Sequence, residues 1–164
     1  MAGILQFGTY SFLDVQITFT GPGGSFDVVS GGLSEEGISF SMIGPKDVMT
    51  IGASGNGMHT LIGASGSRAE ISFLKTAPAN GVLNYLYNYQ SASSAYWGKN
   101  QITINNPVTG DSVTLLGGAF EKHADNAYKT QGNMLVWPFL FITRADVLGN
   151  GGNARSLIVT PVTG

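Results

Sequence analysis

The sequence predicts a mainly β fold, a β-sandwich or barrel-like domain flanked by one α-helix at about 77–90. Three observations carry that expectation. Glycine supplies 24 of 164 residues and charged side chains only 11%, while 43% are hydrophobic. Turns are therefore plentiful, and disorder would need the opposite balance of charge and hydrophobicity. Short stretches alternate apolar and polar residues with period two, the mark of a strand with one buried face. Only one stretch keeps a helical period, with Val82, Leu83, Leu86, Tyr87 and Gln90 spaced by threes and fours. The length suits a single domain over 1–164, with a flexible C-terminal segment from about 144.

The elements follow in order. Leu13, Val15, Ile17 and Phe19 alternate with Asp14, Gln16, Thr18 and Thr20, predicting a strand over 12–20. Gly21-Pro22-Gly23-Gly24 is a turn, and 25–29 returns as its hairpin partner. Residues 31–37 read as a loop carrying the adjacent acids Glu35 and Glu36, and Ile38, Phe40 and Met42 mark a third strand. Ile51-Gly52-Ala53-Ser54-Gly55 recurs at Ile62-Gly63-Ala64-Ser65-Gly66, two equivalent turns around a strand at 58–62. Arg68 to Leu74 is a further strand, with Ala69, Ile71 and Phe73 inward and Arg68, Glu70 and Ser72 outward.

The helix would be capped at Thr76 or Ala77, with Pro78 in the first turn, where a missing N–H costs nothing. Tyr96 and Trp97 follow as an aromatic cap or as a stacking platform for a sugar. Ile102 and Ile104 mark a strand, and the next runs from Val113 past a bulge at Gly117-Gly118. The most apolar strand spans 134–142; Pro138 within it predicts an edge or a bulge. Beyond a flexible loop at 149–153, residues 157–161 read either as a last strand or as an arm for another subunit.

Chemistry is harder to find. With no cysteine, disulfides and thiolate metal sites are excluded. The two histidines, His59 and His123, stand in no metal-ligand spacing, and no Gly-x-Ser-x-Gly elbow is present. The glycine-rich turns lack the Lys-Ser/Thr of a phosphate loop. No lysine–arginine cluster could neutralise several phosphates, and the longest apolar run, 134–142, is far short of the roughly 20 residues of a membrane helix. The expectation is a soluble protein without cofactor, metal or catalytic residues. Charge is uneven: residues 1–45 carry −4 and the remainder +2, as if the two parts face different partners.

Several stretches resemble the tail tube proteins of contractile-tailed bacteriophages. They are Tyr10-Ser11-Phe12-Leu13-Asp14-Val15, Thr20-Gly21-Pro22-Gly23-Gly24-Ser25-Phe26, Glu35-Glu36-Gly37-Ile38 and Met49-Thr50-Ile51-Gly52. Leu74 to Asn80, Ser91 to Gly98 and Ile104-Asn105-Asn106-Pro107 belong to the same pattern. The resemblance implies a virion structural protein whose hexameric rings stack into the inner tail tube, the conduit for genome ejection. Implied partners are further copies, the tail sheath, a tape-measure protein, and baseplate and tail terminator proteins, with DNA passing through unheld. The implied place is the virion tail, assembled in the host cytoplasm. Within such a tube, Asp14, Gln16, Thr18, Glu70 and Ser72 are expected to line the lumen. Ser34, Glu35, Glu36, Gly37, Lys46 and Asp47 are expected at subunit contacts, with Tyr85 and Tyr89 meeting a neighbour. Two alternatives stay open: a β-sandwich carbohydrate-binding module using Tyr96 and Trp97, and a secretion-type or non-contractile tube protein.

Overall fold

The computed structural model describes residues 3–149 and 155–159. Seven strands form one antiparallel sheet in the order β3-β2-β8-β9-β10-β7-β4. They are β2 (Gln16–Gly21), β3 (Gly24–Asp27), β4 (Leu33–Met42), β7 (Ser67–Phe73), β8 (Asn100–Asn106), β9 (Asp111–Phe120) and β10 (Leu135–Val147). The sheet curls into a half-barrel, so of the two expected forms the barrel-like one is realised. Its curl is visible in the side chains: Ile17 of β2 and Phe40 of β4, far apart in strand order, line one cleft. Two ribbons stand apart from the sheet. One pairs β5 (Asp47–Ile51) with β6 (Gly57–Leu61); the other pairs β1 (Gly3–Phe7) with β11 (Arg155–Val159).

The concave face holds the core, where Phe19, Phe73, Trp137, Phe139 and Phe141 are all but fully buried beside Ile17, Ile71, Ile102 and Leu115. Helix α1 (Pro78–Ser91) lays Ala79, Leu83, Leu86 and Gln90 into that core. Val82, expected in the stripe, is instead 39% exposed, one position round the helix from Leu83. The helix starts where the sequence places it, at Ala77 with Pro78 first, but alanine offers no capping side chain. The orphan amide of Ala79 donates instead to the carbonyl of Gly31, and Asn80 Nδ2 donates back to the carbonyl of Leu74. That approach explains Gly32: a Cβ there would lie 2.5 Å from the Ala77 Cβ, at a φ of +96°. At the far end of the helix the Gln90 and Asn100 side-chain amides bond reciprocally at 2.7 and 2.8 Å, and Gln90 Nε2 also donates to the carbonyl of Pro22. Trp137 Nε1 donates to Asn80 Oδ1. The helix is thereby pinned to the β2–β3 turn, β8 and β10.

Several expectations are corrected. The strand expected over 12–20 begins only at Gln16; Phe12–Asp14 is a 3-10 turn capped by the Ser11 hydroxyl, and Leu13 is 95% exposed rather than inward. Asp14 therefore lies on a turn, outside the alternating strand. Glu35 and Glu36 belong not to a loop but to β4, where its register against β7 breaks between Leu33 and Ile38. Ser34 and Gly37, flanking those acids, are buried, as is Ser72 of β7 at 7% exposure; Ser72 faces Val136 in register and sits beside the irregular part of β4. Strand β10 runs on through Val147, so 144–147 is regular structure. Residues 155–159 pair with the N-terminal strand of the same chain, while the loop expected at 149–153 lies, from 150 on, outside the described residues.

Pro138 is the clearest departure. It stands in β10, between β9 and β7, rather than on an edge strand. In an antiparallel ladder a residue points its N–H and C=O at the same neighbour. The Pro138 carbonyl accepts from the Glu121 amide, one residue past the end of β9, so its missing N–H falls where the neighbouring strand gives out. The bulge at Gly117-Gly118 is present: two steps along β8, from Asn100 to Ile102, match three along β9, from Gly118 to Leu115, with Gly117 at φ +66°.

Candidate assembly surfaces

The outward face of the sheet is built by the other half of each strand's alternation. Gln16 pairs with Asn105, Thr18 with Thr103 and Thr20 with Gln101, and Thr103 and Asn105 continue across to Thr114 and Ser112. This half of the face is polar, and Asp27, opposite Thr18 on β3, makes it acidic. At the other side, Glu70 receives a hydrogen bond from Arg68 Nη1, and Arg68 Nε donates to Glu121 at 2.6 Å. The Glu70 hydrogen bond, then that of Glu121, raises the Arg68 pKa further above its ordinary value, so its charge is held and answered in place. Gln16, Thr18 and Glu70 thus share one face of the sheet. Asp14, on its turn, and Ser72, buried, do not present themselves with them.

Of the residues expected at subunit contacts, Glu35, Glu36, Lys46 and Asp47 are exposed, whereas Ser34 and Gly37 are covered. The Ser34 hydroxyl makes no hydrogen bond among the described residues. Tyr85 and Tyr89 lie off the buried stripe as expected, and they form a ladder with Tyr96: Tyr85–Tyr89 rings stack at 6.1 Å and Tyr89–Tyr96 at 5.0 Å. Trp97 turns its ring toward Phe120 and edge-on to Tyr87. Tyr96 thus stacks on the helix and Trp97 packs toward the core, so the two rings do not form one shared flat platform, while both keep a partly exposed surface.

The two histidines lie in separate surroundings. His59 Nδ1 lies 2.8 Å from Asp47 Oδ2 on the open β5–β6 ribbon. His123 sits among Tyr87 and Trp137, with its nitrogens 2.9 Å from the Ala124 carbonyl and from Asn84 Oδ1. No group of three or more His, Cys, Asp or Glu that could hold a metal occurs among the described residues. No helix among them is long and apolar enough to cross a membrane.

Two features went unseen in the sequence. The β5–β6 ribbon is exposed along its whole length, with Val48, Met49, Ile51, Met58 and Leu61 on it. At one end of the half-barrel an apolar cleft of about 250 Å³ opens between Tyr10, Phe12, Val15, Ile38, Phe40 and Leu148. No local sequence signal marks the cleft, whose walls come from segments far apart in the chain.

A family model, that of the Bacteriophage PhiTE tail tube protein, matches residues 7–149. The chain belongs to that tail tube family. It is a structural protein of the virion tail. Among solved structures, this tube subunit is similar to a protein from the tail of an empty GTA particle refined helically with C6 symmetry. The identity is 16%, with 85% of this chain and 98% of that one covered and a TM-score of 0.52. The tube terminating cap of an anti-feeding prophage is similar at 11% identity, 81% and 88% coverage and a TM-score of 0.49. A chain of the extended sheath–tube complex of an extracellular contractile injection system follows at 10% identity, 89% coverage of each chain and a TM-score of 0.44. No curated protein matches the sequence.

Proposed function

We propose that copies of this subunit close into hexameric rings that stack head to tail as the inner tail tube, the conduit through which DNA is ejected. The family match across the sheet and helix carries this reading. The architecture suits it, because the half-barrel ends in two open edges, β3 and β4. Edge strands left open invite uncontrolled pairing, and a ring that joins them removes the hazard. The bulge and the acids Glu35 and Glu36 on β4 would limit that pairing to the right partner.

Gln16, Thr18 and Glu70 are assigned to the lumen. A wall that is polar, acidic at Asp27 and has its Arg68 paired with two carboxylates has little grip on phosphates, so DNA passes without being held. Glu35, Glu36, Lys46 and Asp47 are assigned to subunit contacts, and the Tyr85–Tyr89–Tyr96 ladder to a neighbouring protein. Sheath outside, tape-measure protein within, and baseplate and terminator proteins at the two ends complete the set of partners, and the subunit performs no catalysis. Electron microscopy of the purified protein tests the reading. Six-fold rings and tubes with a central channel are expected; monomers that stay featureless at high concentration would overturn it.

A further inference from the structure

The β5–β6 ribbon has no core of its own. All ten of its residues are exposed, and Val48, Met49, Ile51, Met58 and Leu61 range from 47% to 83% exposure. An isolated two-stranded ribbon is marginal in water. Here the pairing puts Met49, Ile51 and Leu61 on one face, with Asp47, Gly57 and His59, and leaves Val48 and Met58 with two threonines on the other. The cleft bounded by Tyr10, Phe12, Val15, Ile38, Phe40 and Leu148 is the complementary feature, apolar and open. The ribbon does not fill its own chain's cleft, since Met49, Ile51 and Leu61 stay exposed.

Topology places both features at the same end of the sheet. The ribbon springs from the end where Met42 pairs with Ser67, which is where β2 begins, β8 turns into β9 at 106–111 and β10 runs out at Val147. The cleft is walled by those same strand ends. Axial stacking would bring opposite ends of two subunits together. With the strand ends taken to face along the tube axis, a rotation about that axis keeps like ends level, so a ribbon and cleft at one end meet round a ring, a heterologous contact that closes on itself. Asp111 on the cleft wall and Lys46 at the ribbon's root add opposite charges to the rim.

We infer that the Met49–Ile51–Leu61 face of the ribbon seats in the Tyr10–Phe12–Phe40–Leu148 cleft of the next subunit in the same ring. This rests on the ring reading given above and names the contact that would close it. The seat completes an element that the subunit alone leaves half made.

The absence of cysteine from the sequence makes the test clean. Full-length Met49→Cys and Tyr10→Cys proteins are mixed, allowed to assemble and mildly oxidised; both positions are exposed, so neither change disturbs the core. Disulfide-linked dimers are expected at on the order of tenfold the yield of a Met49→Cys and Tyr128→Cys mixture, because docking raises the local thiol concentration. Tyr128 lies on the loop between β9 and β10, at the opposite end. Rings or tubes that form while the Met49/Tyr10 pair links no better than this control would overturn the seat and leave the ring reading standing. Preferential Met49/Tyr128 linkage would place the ribbon in an axial contact and also overturn it. A seat occupied by the chain's own β1–β11 ribbon would give assembled rings without Met49/Tyr10 linkage, the same refutation. If neither assembly nor linkage occurs, both readings fall together.

Discussion

Removing the Asn100 side chain should loosen the helix from the sheet at a cost that can be worked from its contacts. Gln90 and Asn100 are fully buried and exchange two hydrogen bonds, with Gln90 Nε2 donating a third to the Pro22 carbonyl. Asn100→Ala leaves the Gln90 Oε1 without its donor in a dry site, a penalty of about 1–3 kcal/mol. The lost bond from Gln90 and the vacated volume bring the total to about 3 kcal/mol. For a chain of this size each kcal/mol moves Tm by about 2–4 °C, so a fall of about 6–12 °C is expected by calorimetry. Replacing both residues, Gln90→Leu with Asn100→Leu, removes the orphaned groups together and should recover most of that fall. Only the Pro22 carbonyl then lacks a donor. A fall of less than about 3 °C for Asn100→Ala, or a double variant that equals the sum of its singles, would refute the idea that this pair pins the helix.

Three further outcomes are expected. Gly118→Ala places a Cβ 2.2 Å from the Phe141 ring, which is 2% exposed and cannot yield, so Tm should fall by several degrees, from a cost of about 1–3 kcal/mol; Gly44→Ala, in open space, should leave Tm unchanged. Glu35→Lys with Glu36→Lys should impair polymerisation in sedimentation while leaving the fold intact by circular dichroism, and unchanged tube formation would count against their place at a contact. The Tyr89 phenol has its pKa raised, chiefly by the charge of Tyr96 and then by a hydrogen bond with it. An acid with a raised folded pKa contributes stability that is full below its ordinary value near ~10 and is lost as pH rises through the folded value. Ultraviolet titration should therefore show a late-ionising phenol that disappears in Tyr96→Phe.

The helix and most strands were legible because each announces itself locally: Leu83, Leu86 and Gln90 by their spacing, Ala69, Ile71 and Phe73 by alternation. Leu13 misled because alternation continued one turn beyond the strand, into residues that the Ser11 cap holds in a 3-10 turn. Val82 misled because a stripe chosen by spacing alone ignores how much of the helix the sheet can cover. Ser72 and Ser34 were read as surface because serine is polar, yet the irregular pairing of β4 covers both. The cleft could not be read at all. It exists only because the curl brings Ile17 and Phe40 to one space, and no local pattern encodes a curl. The same holds for the ribbon: the repeat predicts turns around a strand at 58–62 but not that all ten ribbon residues stay exposed.

Pro138 and Gly117 have a consequence beyond the single subunit. A one-residue slip of β10 against β9 would move the position lacking an N–H away from the end of β9. It would also turn Trp137 and Phe139 out of the core. The bulge at Gly117 likewise fits β8 in only one alignment. The two devices leave the sheet a single register and so a single curvature. In a polymer made of one repeated part, an angular error in that part is copied at every step, so a fixed curvature in the subunit is what lets a long tube run straight.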